Sequence, residues 1–210
     1  MKIKYPRSYH LPWSLGATND DKIMKDIGGF YGEEIVITEK MDGENTTMSK
    51  NYLHARSLDS ADHPSRHWVK GLWGQIRYDI PEDWRICGEN LYAKHSLYYD
   101  NLPSYFMAFN VWDENNVCLS FDDTIEWCKL IGVEHVPVLW RGIFDEKFVR
   151  EFAVDHSKQE GYVIRVTKSF EYKDFEKFVG KNVREGHVQT NEHWMFQKIV
   201  PNKLKEKNNG

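Results

Sequence analysis

Hydrophobic residues recur along the chain in short runs, and charged or turn-forming residues separate each run from the next. The runs are rich in β-branched and aromatic side chains, which pack well on the pleated surface of a sheet. The stretch Asp113–Asn116 has the polar composition of a hairpin turn between two of these runs. The pattern therefore predicts a mixed or antiparallel sheet with strands in segments 33–41, 84–92, 104–112, 116–120, 134–140 and 160–166.

Two segments carry apolar residues at helical spacing. Segment 121–131 begins at acidic residues and stops before Gly132, and segment 145–155 has Asp145 as a candidate N-cap. Segment 54–77 interleaves basic and aromatic residues as expected of a surface for single-stranded nucleic acid, and the alternative, compatible with it, is an amphipathic helix over 65–77 that buries its tryptophans. Strands mixed irregularly with helices, without the glycine-rich motif of a Rossmann or P-loop site, predict the α+β class.

Composition narrows the class of protein. The chain of 210 residues has eight Trp, eleven Tyr and eleven Phe, which is too aromatic for a disordered protein. Its length and lack of linkers predict a single domain over 1–200, a frayed polar tail over 201–210, and no C-terminal oligonucleotide-binding or helical domain. A formal net charge of −4 argues against global attraction to nucleic acid, so any phosphate site must be local.

The location of the protein is predicted from what the sequence lacks. The start of the chain has no signal-peptide core, and no apolar run is long enough to span a membrane. The three cysteines, Cys87, Cys118 and Cys128, are odd in number and have no CxxC spacing, which predicts reduced, mostly buried thiols. We therefore expect a cytoplasmic protein that does not contact membranes.

The main candidate for chemistry is Lys40, in the stretch ITEKMDGENTT that follows a β-branched run. A lysine nucleophile must lose its proton, and burial or nearby cations lower its pKa. The alternative is a solvated lysine at the end of a strand. Other charged residues also stand where strands begin or end, and if they converged they would form a pocket with metal-binding carboxylates and phosphate-binding cations: Arg56, Glu89, Glu160, Lys181 and Arg184.

Six short motifs occur in one order along the chain: EKMDGEN, ARS, CGENLY, FMAFNVWD, EGYVIRV and KNVR. In this set and order the sequence resembles the covalent nucleotidyltransferases, which comprise polynucleotide ligases and mRNA capping enzymes, and within them the ATP-dependent RNA ligases. The resemblance covers about 20–190. It implies a nucleotidyltransferase (adenylation) domain of the ATP-grasp-like ligase type, with mixed or antiparallel sheets flanked by helices.

The resemblance implies catalytic roles for four residues. Lys40 would attack the α-phosphorus of ATP, expel pyrophosphate and hold AMP through a phosphoramidate bond. Lys181 would bind the α-phosphate, because phosphoryl-type transfer is catalysed mostly by positioning and electrostatics. Glu160 and Glu89 would hold Mg²⁺, for which Mn²⁺ could substitute, and Glu89 would also contact the ribose. The metal and Lys181 would then lower the pKa of Lys40.

The resemblance also implies a nucleotide pocket. Glu39 would recognise adenine, and Phe109 or Phe106 would stack on its ring. Asn45 and Arg56 would position phosphates or the incoming 5′ end. Glu89, Glu160 and Lys181 would complete the cofactor-binding set.

The fifth motif departs from the K-x-K pattern that is frequent in the family, which leaves its second cation open between Arg184 and Lys177. Many relatives also carry an extra C-terminal domain, and a protein partner could supply its RNA binding. For nucleic-acid contacts the candidates are Arg66, Lys70, Lys94, Arg184 and His187. As metal ligands, His187 and His193 lack a third partner at useful spacing.

We therefore predict an ATP-dependent RNA ligase that joins 5′-phosphate and 3′-hydroxyl RNA ends through a lysyl-AMP enzyme and an adenylylated 5′ end. A DNA ligase is the near alternative. A capping-like guanylyltransferase, or an enzyme that adenylylates an end without sealing it, is a second alternative. The third is a catalytically inactive RNA-binding domain of the same fold.

Overall fold

The computed structural model describes residues 2–59, 61–185 and 198–206, and all structural statements below concern these residues. They form two β-sheets with a few short helices. In chain order, the strands β1 to β12 are Tyr9–His10, Glu34–Glu39, Glu44–Ser49, Leu53–Ala55, Arg85–Asn90, Phe106–Trp112, Val117–Cys118, Glu134–His135, Val138–Ile143, Gly161–Val166, Phe170–Glu171 and Val179–Val183.

The first sheet has five strands in the order β1-β12-β10-β2-β9. The second has seven, in the order β11-β7-β6-β5-β3-β4 with β8 beside β6. Strands β1 and β12 run parallel, as do β6 and β8. The other pairs are antiparallel. The predicted α+β class with mixed sheets is therefore confirmed.

The α-helices α1 to α4 are His67–Ile76, Phe121–Leu130, Glu146–Glu151 and Phe175–Phe178, and 3-10 turns lie at Gly28–Phe30, Pro64–Arg66 and Tyr172–Asp174. Helix α2 closely follows the prediction for segment 121–131. Its N-cap is Ser120, whose hydroxyl accepts a hydrogen bond from the backbone N–H of Asp123 at 3.1 Å. It ends just before Gly132, which has a φ of 70° and so terminates the helix easily.

Helix α3 is shorter than the predicted 145–155. Asp145 is its N-cap, as predicted, but the helix ends at Glu151. The carbonyl oxygen of Val149 accepts hydrogen bonds from the Tyr162 hydroxyl at 2.6 Å and from the backbone N–H of Phe152 at 3.4 Å, which closes the helix with a tight turn. Phe152 is extended and packs edge-on against Tyr162, so the chain leaves the helix to fill the core.

The run predicted as one strand over 134–140 forms two, because β8 and β9 belong to different sheets. Val136 and Pro137 lie between them. Proline has no backbone N–H to donate to a sheet, which favours a break at this position. The carbonyl oxygen of Pro137 accepts a hydrogen bond from the backbone N–H of Glu39 at 2.9 Å, so the crossing is fixed next to the end of β2.

The main core lies between the two sheets. Ile35, Ile37 and Ile164 from the first sheet pack with Trp112 and Phe170 from the second, and all five are buried. A second cluster joins the second sheet to helices α1 and α2. The three cysteines are free and buried, as predicted. Among the described residues, no helix is long and apolar enough to cross a membrane.

The described part of the expected tail is packed rather than frayed. Pro201 and Leu204 form isolated bridges with Ala93 and Leu102. Asn202, which is 1% exposed, donates a side-chain hydrogen bond to the carbonyl of Leu91 at 2.8 Å. Because such a buried amide is hydrogen-bonded, residues 201–205 are part of the folded structure and hold the segment 91–105.

Candidate active site

The candidate site is a cavity between the two sheets, at the turn that joins β2 to β3. Lys40 follows directly after β2, so its backbone position is fixed by the strand; its N–H donates to the carbonyl of Gly161 at 3.0 Å. The cavity is lined by residues of both sheets and of the N-terminal segment: Tyr5, Ser8, Thr38, Glu39, Lys40, Met41, Asn45, Glu89, Phe109, Asn110, Val136, Val163, Arg165 and Val179.

The turn itself requires glycine. A Cβ at Gly43 would lie 2.5 Å from the carbonyl oxygen of Asn90, which is closer than atoms can pack. The backbone N–H of Gly43 donates to Glu89 Oε1 at 3.2 Å. The glycine of the first motif therefore brings the turn against β5 and places Glu89 beside Lys40.

Lys40 is held by carboxylates. Its Nζ lies 2.8 Å from Glu160 Oε2 and 3.0 Å from the carbonyl oxygen of Met41. Burial by itself lowers the pKa of Lys40, but the charges of Glu160, Glu89 and Asp42 together outweigh burial and raise the pKa above its usual value. The carboxylates thus dominate over burial, and the depression of the Lys40 pKa by a divalent cation and Lys181 stays a prediction.

Glu89 and Glu160 fit a hard divalent cation. Both are buried, at 8% and 6% exposure. Burial raises the pKa of Glu89 to about 8, Lys40 opposes the shift, and the charge of Glu160 adds to it. Mg²⁺ and Mn²⁺ prefer oxygen ligands and are often held by one or two carboxylates with water and substrate phosphates. Among the described residues no cluster of three His, Cys, Asp or Glu side chains suits a metal, so the fit is to this two-carboxylate mode.

The cavity lining includes apolar side chains and one carboxylate from β2, β6 and β10. Glu39 and Phe109 both line the cavity, together with Val136 and Val163. Phe106, the alternative stacking residue, is fully buried in the core cluster beneath α1 and α2 and does not line the cavity. The structure therefore places Phe109, and not Phe106, where a ligand ring could contact it.

Asn45 lies on β3, and Arg56, which directly follows β4, lies beside it. The backbone N–H of Arg56 donates to the carbonyl of Asn45 at 3.0 Å. Asn45 Oδ1 and Arg56 Nε are buried polar atoms with no hydrogen-bond partner in the described residues. Because buried polar groups are nearly always paired in proteins, these two atoms suit a polar ligand.

Lys181 lies on β12, which runs beside β1. Its Nζ is 3.8 Å from Asp21, and burial lowers the pKa of Lys181. Of the two candidates for a second cation, Arg184 is nearer the site, because its backbone N–H donates to the carbonyl of Glu160 at 3.0 Å. Lys177 is 62% exposed on α4 and pairs with Asp174.

The residues predicted to contact nucleic acid differ in their exposure and in their partners. Arg66 is 5% exposed, and its Nε donates to Glu44 Oε2 at 2.7 Å. The guanidinium of Arg66 ties the turn before α1 to β3, which gives it a structural role, and its contact with nucleic acid stays a prediction. The side chain of Lys70 is 42% exposed and pairs with Asp62. Lys94 is also exposed, Arg184 is described above, and His187 and His193 lie outside the described residues.

Sequence reasoning missed the residues at the base of the cavity. Arg165, which is 3% exposed, donates from Nη1 to Asn110 Oδ1 at 2.7 Å, and Asn110 Nδ2 donates to the hydroxyl of Tyr5 at 2.8 Å. The ring of Tyr5 packs edge-on against Phe109, with centroids 5.1 Å apart. No local signal marks Tyr5, because it lies far from the motifs and meets them only in the fold.

A family model for RNA ligases matches residues 33–183. No curated protein matches the chain significantly by sequence. Among solved structures, one similar chain is the Naegleria gruberi RNA ligase in a mutant form with ATP and Mn, at a TM-score of 0.55 and 14% identity. The match covers 87% of this chain and 61% of that one.

Two further similar structures are an archaeal ATP-dependent RNA ligase and an Aquifex aeolicus protein described as an ATP-dependent DNA ligase. Their TM-scores are 0.57 and 0.56, and their identities are 15% and 19%. Each match covers 88% of this chain and 49% or 50% of the other, so the chain spans about half of these proteins. At such identities the structures show a shared fold, whereas the family model covers most of the chain. The chain therefore belongs to the RNA ligase family.

Proposed function

We propose that the protein is an ATP-dependent RNA ligase that joins 5′-phosphate and 3′-hydroxyl ends through an AMP attached to Lys40. The observation that carries the proposal is the cavity at the turn after β2. There Lys40 stands among two buried carboxylates, Glu89 and Glu160, in a cavity that Phe109 also lines. A nucleophile, a divalent-cation site and a ring-binding wall are the parts that nucleotidyl transfer needs.

Each side chain has a role in the first step. The Nζ of Lys40, as the neutral amine, forms a bond to the α-phosphorus of ATP while the bond from that phosphorus to the bridging oxygen breaks and pyrophosphate leaves. The protons that the ammonium form of Lys40 gives up pass to water or to the leaving pyrophosphate. Glu89 and Glu160 hold the cation, which when bound neutralises phosphate charge and the carboxylate field around the amine. Lys181 supplies positive charge to the α-phosphate, because the transition state gains charge on its oxygens.

The remaining residues orient the nucleotide. Phe109 stacks on adenine, and Glu39 accepts a hydrogen bond from its amino group. Asn45 and Arg56 bind phosphate or ribose oxygens. This role is supported by their buried polar atoms, Asn45 Oδ1 and Arg56 Nε, which have no partner in the described part of the chain.

The test is intact mass of the purified protein before and after incubation with ATP and Mg²⁺. A gain of one AMP on the wild type, and none on Lys40→Ala or Lys40→Arg, is expected. The arginine variant keeps a cation beside Glu160, so its failure to label would not be due to a buried unpaired carboxylate. Lys50→Ala is the matched control, since Lys50 is a lysine at the end of β3 that pairs with Glu82 outside the cavity.

Two outcomes would contradict the proposal. Labelling of Lys40→Ala would refute the nucleophile. An unlabelled wild type that also loses no AMP on addition of pyrophosphate would favour an inactive RNA-binding domain. A labelled enzyme is then given RNA and DNA strands with 5′-phosphate ends, because sealing of RNA, sealing of DNA and adenylylation without sealing separate the ligase from its alternatives.

A further inference from the structure

Gln159 is a cavity-flanking residue that none of the family motifs includes. It immediately precedes Glu160, and its Nε2 donates a hydrogen bond to Glu39 Oε2 at 3.0 Å. Glu39 lines the cavity, whereas Gln159 stands behind it. Gln159 can therefore affect a bound nucleotide only through the carboxylate of Glu39.

The orientation of the Gln159 amide is fixed by the loop that carries it. Its Oε1 accepts a hydrogen bond from the backbone N–H of Asp155 at 3.1 Å. The backbone N–H of Gln159 in turn donates to the carbonyl of Asp155 at 2.8 Å. A backbone N–H can only donate, so the amide oxygen must face Asp155 and the amide NH₂ must face Glu39. A flipped amide would lose both interactions.

This arrangement fixes the orientation of the Glu39 carboxylate, which as an anion can only accept hydrogen bonds. One carboxylate oxygen is held by Gln159, and the group presents acceptor capacity to the cavity. Adenine carries an amino group at position 6, which donates, and guanine carries an oxygen there, which accepts. In a pose that places position 6 of the purine against Glu39, the carboxylate accepts from the adenine amino group and opposes the guanine oxygen. Guanine would have to shift to offer its N1–H or its 2-amino group, and the hydrogen bond from Gln159 keeps the carboxylate from following that shift.

We propose that Gln159 is a positioning residue for nucleotide selection, which acts through Glu39 and sets the preference for ATP over GTP. The inference rests on the proposed function, because it concerns the nucleotide that Lys40 receives. It predicts that the loop 155–159 contributes to specificity without contacting the nucleotide.

The test compares the rates at which ATP and GTP label the wild type, Gln159→Met and Gln159→Leu at subsaturating nucleotide, by intact mass. Methionine keeps the length of the side chain, leucine is shorter by one atom, and both remove the donor to Glu39 together with the acceptor for the Asp155 N–H. The ratio of ATP to GTP labelling is expected to fall about tenfold, the change that the loss of one orienting hydrogen bond to a charged group produces. Gln75→Met, on the exposed side of α1, is the matched control and is expected to keep the wild-type ratio.

The ratio separates the inference from a structural role and from the proposed function. A variant that is only less stable loses labelling by both nucleotides equally, and that result would overturn the inference. If the wild type is labelled and the variants keep its ratio of ATP to GTP labelling, the inference about Gln159 fails while the proposed function stands. If neither nucleotide labels the wild type, the proposed function fails and the inference fails with it.

Discussion

Asp42 connects the turn after Lys40 to the segment 91–105. Its Oδ2 accepts hydrogen bonds from the backbone N–H of Ser96, from the Ser96 hydroxyl and from the backbone N–H of Leu97, each at 2.7 Å. Its own backbone N–H donates to the hydroxyl of Tyr99 at 3.0 Å. Asp42 is only 9% exposed, so a single buried carboxylate oxygen holds this segment against the site.

The change Asp42→Ala removes the acceptor and leaves the two backbone N–H groups without it. Each buried donor left unpaired costs about 1–3 kcal/mol, and the serine hydroxyl can rotate to another partner at little cost. We expect the free energy of unfolding to fall by about 3 kcal/mol, a large part of the roughly 5–15 kcal/mol of a typical domain. Asp42→Asn keeps an acceptor oxygen but loses its charge, so it should cost less.

Urea unfolding at equilibrium measures the effect, as a lower midpoint with an unchanged m-value. Asp155→Ala is the matched control, because Asp155 Oδ1 accepts from both the backbone N–H and the hydroxyl of Ser157 in the same way. Asp155 is exposed, so water replaces its hydrogen bonds and no change is expected. If the two variants shifted the midpoint equally, the argument from buried donors would be refuted.

Two further predictions concern buried charge. Arg66→Ala leaves the carboxylate of Glu44 buried and unpaired, so the free energy of unfolding measured with urea should fall by about 3–5 kcal/mol. The dependence of RNA binding on salt concentration should stay unchanged. A stable variant whose RNA binding depends less on salt would instead identify Arg66 as an RNA contact. Burial lowers the pKa of His135 to about 4, from about 6.5 in the unfolded chain, so the unfolded state binds a proton first as the pH falls. The contribution of His135 to the free energy of unfolding is therefore complete above pH 6.5 and falls by up to about 3 kcal/mol as the pH drops to 4. His135→Gln should flatten the loss of stability between pH 6.5 and 4, and an unchanged slope in urea unfolding would contradict this assignment.

Strand prediction succeeded where side chains are hydrophobic and failed where they are hydroxylated. The predicted strands around β2, β5, β6 and β10 are present, because their buried positions carry β-branched and aromatic residues. Strand β3 was not predicted, although it lies between β4 and β5. Its buried positions include Thr46, Thr47 and Ser49. A strand that buries hydroxyl groups lacks the alternation of hydrophobic and polar residues by which strands are predicted. It is stabilised by pairing with the neighbouring strands β4 and β5, which its own sequence does not reveal.

The candidate site was predictable where its residues stand beside strand ends, as Lys40 and Glu160 do. What depends on pairing between distant segments was not predictable. Arg66 and Arg56 are both basic residues near the ends of apolar runs, yet Arg66 is neutralised by Glu44, whereas Arg56 Nε has no acceptor among the described residues. The charged residues in the sequence do not show whether a given cation is paired with a carboxylate inside the fold or is available to bind a phosphate. Because a buried polar atom without a partner is costly, the open Nε supports Arg56 as the proposed phosphate contact, whereas the ion pair with Glu44 supports a structural role for Arg66.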